Sequence, residues 1–194
     1  VTYSISPTSV DFAPVSIDSS TGQVSISSVS HGNGYQLFTV TADDHQSANN
    51  TASQTFTLTV TEVNDAPVAS GQSVSTDEDT PITITLTATD VDNDDSSLTY
   101  TVVDQPSSGT LSGTAPNLTY TPHANYSGSD SFTFKANDGS SDSNTATIAI
   151  TITFVNDAPV AIDQVGDQRV ETPEDTPITI MLTATDVDGD PLTY

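Results

Sequence analysis

The sequence predicts an all-β protein made of tandem antiparallel β-sandwiches, and three observations carry that reading. A set of motifs recurs at a period of a little over ninety residues. Each unit is filled with short runs in which apolar and polar residues strictly alternate. No segment shows a convincing helical period.

The repeat sets the frame. VNDAPVA occupies Val63–Ala69 and Val155–Ala161, a spacing of 155 − 63 = 92. EDTPITI begins at Glu78 and Glu174, and TATDVD at Thr87 and Thr183, both 96 apart (174 − 78 and 183 − 87). That period suits a two-sheet sandwich. Val1–Ile5 matches the phase of Leu98–Thr101 and of Leu192–Tyr194. The chain therefore divides into a C-terminal portion of one repeat (1–65), a complete repeat (66–157) and an N-terminal portion of a third (158–194).

Strands follow from alternation. In the first repeat Val24 and Ile26, Leu37 and Val40, then Phe56, Leu58 and Val60 are assigned inward, with DSSTG (Asp18–Gly22) as a turn. In the second repeat Ile82, Ile84, Leu86 and Ala88 point inward, opposite Thr83, Thr85, Thr87 and Thr89. Leu98, Tyr100 and Val102 form the next inward set, and Pro106–Gly109 makes a turn. Leu118 and Tyr120, then Phe132, Phe134 and Ala136, then Ala146, Ile148, Ile150 and Ile152 complete it. One buried and one wet face is the pattern of an antiparallel sheet, and two such sheets make a sandwich. Each repeat passes into the next through V-N-D-A-P. Pro67 and Pro159 hold the preceding residue extended and donate nothing to a ladder. So short a linker favours an extended, semi-rigid rod.

Composition excludes several functions. Two Lys or Arg stand against 26 Asp or Glu, a formal net charge of −24. Phosphate backbones need Lys and Arg, so nucleic acid is not a partner. Anionic membrane surfaces are excluded on the same ground. There is no Cys, and no apolar run approaches the roughly 20 residues of a membrane span, so direct membrane insertion is not expected. The sequence does not open on a secretory leader pattern, and an internal piece or a mature chain is expected. A chain this acidic repels itself unless cations are taken up. In the absence of disulfides, metal staples are one route to stability.

The carboxylates recur in fixed clusters. Asp90-Val91-Asp92-Asn93-Asp94-Asp95 is copied as Asp186-Val187-Asp188-Gly189-Asp190. Alternating Asp in a turn aims several oxygens at one point, and Ca²⁺ takes six to eight hard oxygen ligands. It is not an EF-hand loop, which would end in Glu and sit between helices. Taken alone, the pattern is equally an Asp-rich turn; its repetition at fixed phase beside V-N-D-A-P favours metal. Asn64-Asp65 and Asn156-Asp157, before Pro, also read as turn formers. Asp138, in A-N-D-G, and Asp43-Asp44 each follow a core strand and read alone as hairpin turns.

The order E-D-x-P, A-T-D-x-D, L-T-Y, F-T-F-x-A-x-D-G, V-N-D-A-P resembles a cadherin repeat. It is most similar to the bacterial cadherin-like and Ig-like repeats of large secreted adhesins. VSIDSSTGQVSI in the first repeat resembles the cadherin I-D-x-x-T-G-x-I stretch. The resemblance covers essentially the whole chain. It implies Ca²⁺ at the junctions between repeats, stiffening the rod. By position, one junction would use Glu62, Asn64, Asp65, Asp90, Asp92 and Asp138. The next would use Glu78, Asn156, Asp157, Asp186 and Asp188, and Asp43 would face a junction upstream. Asp94 and Asp190 would supplement these or hold an ion inside one repeat. The sequence departs from the cadherin pattern in three places. The linker is one residue short of D-x-N-D-N-x-P, Phe154 replaces the first acid of the second linker, and YTPHANYSGSD (Tyr120–Asp130) stands where L-D-R-E belongs. Fewer or weaker ions per junction would follow.

No catalytic constellation is present, and no enzyme is expected. His31, His45 and His123 are isolated and read as bystanders. Lys135 lies between Phe134 and Ala136 and should face outward. The resemblance implies a non-catalytic structural or adhesive module, rigidified by Ca²⁺, on an extracellular or bacterial cell-surface protein. Its partners would be neighbouring repeats or identical subunits, with surface glycans or proteins beyond them. The alternative is a carbohydrate-binding module in which Tyr126, Tyr120 or Phe12 stacks on sugar. An alternative assembly is a filament of subunits completed by strand donation between chains, with Ile178, Ile180 and Leu182 filling the groove beside Val1–Ile5.

Overall fold

A computed structural model describes residues 1–162 and 171–193. The chain divides into two compact units. One is Val1–Ala66 with Asp90–Ser96, the other Pro67–Thr89 with Ser97–Tyr194. All extended elements are strands, and no α-helix occurs among the described residues.

In the first unit β1 (Thr2–Ser6), β4 (Gly34–Asp43) and β5 (Thr51–Val60) form an antiparallel sheet in the order β1-β4-β5. β2 (Val15–Ile17) and β3 (Val24–Ile26) form an antiparallel ribbon. Ile5, Val15 and Phe38 are buried between them, with Val24, Val40, Phe56 and Leu58 packed around. Phe38 stacks on Phe56 with ring centroids 5.3 Å apart, a favourable offset pair. Two inward assignments fail here. Leu37 is 54% exposed, because the two-residue period of β4 turns Phe38 and Val40 inward and leaves Leu37 on the wet face. Ile26 is 47% exposed, because β3 pairs only with β2, and a two-stranded ribbon covers little apolar surface.

The second unit contains a full sandwich. One sheet has the order β10-β13-β14-β7, from β7 (Gln72–Asp77), β10 (Thr99–Asp104), β13 (Gly128–Asn137) and β14 (Ala146–Thr153). Its β14–β7 pair is parallel and the others antiparallel. The facing sheet is β11-β12-β8, from β8 (Ile82–Thr85), β11 (Gly109–Thr114) and β12 (Asn117–Pro122). Ile84, Leu86, Leu118 and Tyr120 meet Phe132, Phe134, Ile148, Ile150 and Ile152 in one buried cluster. β6 (Val68–Ser70) pairs with β9 (Thr87–Thr89) at the end of the sandwich.

The stretch from Ile82 to Thr89, one run by alternation, is two strands. β8 joins β12, β9 joins β6, and the break falls at Leu86, whose N–H donates to the Pro116 carbonyl at 2.9 Å. Switching partners keeps Leu86 and Ala88 buried, so the inward set survives the break. Lys135 faces away from the core, with its Nζ 3.9 Å from Asp142.

Further on, β15 (Val160–Ile162) pairs with β16 (Thr183–Thr185). Val160↔Thr185 copies Val68↔Thr89 at the repeat spacings of 92 and 96. Ile178, Ile180 and Leu182 are 50, 53 and 68% exposed. Residues 163–170 of the third repeat, and Tyr194 of the Leu192–Tyr194 match, lie outside the described residues.

Candidate cation sites

Two Asp clusters have the same construction. In the first unit, Asp65 donates its backbone N–H to Asp92 Oδ2 at 2.5 Å. Asp90 Oδ1 accepts from the N–H groups of Asp92 and Asn93 at 2.8 and 2.9 Å, which closes the D-V-D-N turn. The Asp90 N–H in turn donates to Asp95 Oδ1 at 3.0 Å. In the second unit, Asp157 donates its N–H to Asp188 Oδ2 at 2.6 Å, and Asp186 Oδ1 accepts from the Asp188 N–H at 3.0 Å. The local cause is the alternation of Asp. One carboxylate caps its own turn, and the residue two places on is aimed at the linker.

The linker Asn residues hold the linkers in shape. Asn64 Nδ2 donates to the Asp65 carbonyl at 2.9 Å, and Asn156 Nδ2 to the Asp157 carbonyl at 2.8 Å. Glu78, only 5% exposed, accepts the Val155 N–H on Oε1 at 2.6 Å, which places an acid from the start of its repeat against the following linker.

In each cluster one buried oxygen, Asp90 Oδ2 and Asp157 Oδ2, has no hydrogen-bond partner. Buried carboxylate oxygens normally find donors. The Asp157 carboxyl is pushed above the ordinary range, first by burial, then by the charges of Asp188, Asp79, Glu78 and Asp186. Converging acids with an unsatisfied inward oxygen fit a hard divalent cation, which would supply the missing positive partner.

The structure brings Asp65, Asp90 and Asp92 together in the first cluster, and Glu62 lines the same cavity of about 340 Å³. It brings Glu78, Asp157, Asp186 and Asp188 together in the second. Asp138 belongs to the second unit, where its Oδ1 accepts from the N–H groups of Ser140 and Ser141 at 2.6 and 2.7 Å. Asp94 caps Ser96 and is held below the usual carboxylate range by that N–H and by the Ser96 hydroxyl. The Asp190 N–H reaches Asp186 Oδ1 at 3.4 Å, and Asp190 itself is exposed.

Two participants were not singled out by sequence. Asp79 acts on Asp157 and accepts the Asn125 N–H at 3.1 Å. A signal existed, since Glu78-Asp79 recurs as Glu174-Asp175. His31, read as a bystander, lies with its Nδ1 2.8 Å from Asp65 Oδ2.

The family model of the bacterial Ig domain matches residues 64–151. Among solved structures, human CDH23 EC21–23 is similar at a TM-score of 0.55 and 20% identity, covering 95% of this chain and 68% of that one. Mouse Protocadherin-24 EC1–3 is similar at a TM-score of 0.53 and 18% identity, covering 97% and 67%. Residues 64–151 therefore hold an Ig-like repeat, and the chain shares the fold of cadherin extracellular repeats. Cadherin-like repeats of this kind are generally non-catalytic. The endo-fucoidan hydrolase MfFcnA4 from glycoside hydrolase family 107 also matches, at a TM-score of 0.39 and 20% identity, over 79% of this chain; the chain spans 24% of that hydrolase. No curated protein matches the chain. No helix among the described residues is long and apolar enough to cross a membrane.

Proposed function

We propose that this chain is a run of three cadherin-like repeats, two of them partial, serving as a Ca²⁺-binding structural and adhesive segment of an extracellular protein. The observation that carries the reading is the duplicated cluster. Both copies pair a linker Asp with the second Asp of the following D-V-D turn, and both leave a buried carboxylate oxygen without a donor. A structural Asp turn has no need of that orphan oxygen, whereas a cation site does. Ca²⁺ there ties each linker to the loop that follows it in sequence and so stiffens the passage from one repeat to the next. Neighbouring repeats or further copies are the natural partners of such a module. The carbohydrate reading loses one of its three aromatics, because Tyr120 is fully buried.

Isothermal titration of the chelator-treated protein with CaCl₂ tests the reading. Binding is expected, with Asp90→Asn weakening one class of site and Asp157→Asn the other. Absence of Ca²⁺ heat at millimolar concentrations, or indifference to both substitutions, overturns it.

A further inference from the structure

Among the differences between the two Asp clusters, one changes the kind of donor atom beside them. His31 and Asn125 occupy equivalent places in their repeats, 125 − 31 = 94 residues apart, just as Gly34 and Gly128 do (128 − 34 = 94). Both glycines have a strongly positive φ, 148° and 140°, where a strand begins. Three residues before each, the backbone is left-handed, at φ 56° for His31 and 55° for Asn125. Asn adopts that conformation readily and His less so. Asn125 shares a cavity with Asp157 and Asp186. His31 shares one with Asp65 and Asp92. The second cluster is therefore flanked by an amide, and the first by an imidazole.

The imidazole is placed to ligate. Single donor atoms of His31, Asp65 and Asp92 lie within 4.8 Å of one another. In a tetrahedral site with ligands about 2.0–2.2 Å from the ion, donor atoms lie roughly 3.3–3.6 Å apart. The His31 ring is half-exposed and hydrogen-bonded on one side to Asp65 alone, so a small rotation closes the set. Glu62, on the same cavity, or water completes it. Ca²⁺ takes oxygen and gains little from a nitrogen donor. Zn²⁺ and its first-row neighbours favour imidazole together with carboxylate.

We infer that the first Asp cluster is a mixed nitrogen–oxygen site for a divalent transition-metal ion of the Zn²⁺ class, held by His31, Asp65 and Asp92, while the second is an oxygen-only site. The inference deepens the cation reading proposed above and rests on it, in that the first cluster must hold a cation at all. One chain would then carry two kinds of cation site at equivalent phases of its repeat. Supply of the two ions would set the stiffness of the two linkers separately.

The test uses the whole 194-residue chain, stripped of metal and titrated with ZnCl₂ in the presence of saturating CaCl₂, and separately with CaCl₂ alone. His31→Asn places in the first cluster the residue that the second already has, in a backbone conformation Asn accepts. Zn²⁺ is expected to bind the parent protein and to bind His31→Asn more than about tenfold more weakly, since losing even an indirect partner of a metal ligand costs about that much. His45→Asn should bind Zn²⁺ like the parent. The His31 imidazole resonances should shift further when Zn²⁺ is added over saturating Ca²⁺, a readout that does not depend on how the variant folds. Equal Zn²⁺ binding by parent and His31→Asn, no Zn²⁺ binding by the parent, or unmoved His31 resonances each overturns the inference. Failure of the CaCl₂ arm would instead count against the function proposed above, and the two failures are read separately.

Discussion

A carboxylate inside a β-sandwich survives only if donors surround it, and Asp130 has five. The N–H groups of Ser107, Ser108 and Ser131 donate at 3.0, 2.9 and 2.9 Å, the Tyr120 hydroxyl at 2.8 Å and the Ser107 hydroxyl at 3.3 Å. Asp130 is 8% exposed and Tyr120 fully buried. Burial alone would raise the Asp130 pKa. The Ser107 N–H, the Tyr120 hydroxyl and the N–H groups of Ser108 and Ser131 outweigh it and hold the group below its ordinary 3.8. The folded pKa therefore lies under the unfolded one, so the stabilisation is complete above pH 3.8 and is lost as pH falls through the folded value. Asp130→Ala leaves five donors unmatched and should cost about 3 kcal/mol at pH 7. In urea titrations the gap between parent and variant should narrow when pH is taken well below 3.8; a pH-independent gap would contradict the sign. Sequence inspection missed this group because Asp130 sits at the end of YTPHANYSGSD, a stretch defined there only by what it replaces. Nothing in a one-dimensional pattern says that Tyr120, ten residues earlier, needs an acceptor there. The duplicated Asp residues were legible because duplication itself is a signal. His31 was not, since its counterpart is an Asn and the two share only a backbone conformation.

At the level of elements, the two-residue period carried most of the information. β14 reads inward at Ala146, Ile148, Ile150 and Ile152, and all four are buried. It lies between β13 and β7, with Ile150 opposite Asp130 on one side and Val74 on the other. The parallel β14–β7 pairing could not be foreseen, because alternation gives the face of a strand and not its neighbour. The break of β8 from β9 was hidden for the same reason, and Leu37 was misassigned where Tyr35, Leu37 and Phe38 offer apolar residues on both faces of β4. Face, by contrast, makes a sharp prediction. Ile150→Ala removes buried volume from the sandwich centre and should destabilise by about 2–5 kcal/mol. Thr151→Ala, one residue on and exposed, should stay within about 0.5 kcal/mol. Equilibrium denaturation of the two variants measures the contrast, and comparable losses would mean that the register of β14 is not as described.

For the whole molecule, the governing quantity is charge. With −24 on 194 residues, and one Lys–Asp ion pair and two His–Asp contacts among the described residues, few of the carboxylates have a cationic partner. Monovalent salt screens that repulsion without regard to position. A bound divalent cation acts at its site and stabilises by mass action, about 2.7 kcal/mol when free ion stands 100-fold above its Kd. CaCl₂ should therefore raise the melting temperature beyond NaCl of matched ionic strength, and chelator should remove only the excess. Asp157 separates the two contributions by sign. Its carboxyl is pushed up by burial and by Asp188, Asp79, Glu78 and Asp186, so its ionised form is penalised in the cation-free fold at neutral pH. Asp157→Asn keeps the backbone N–H that binds Asp188 and removes that penalised charge. In chelator the variant should melt no lower than the parent, and with Ca²⁺ it should melt lower. Thermal melts of both proteins in the two conditions suffice. A variant below the parent in chelator would mean that Asp157 is a structural linchpin of its turn rather than a charge held in readiness for a cation.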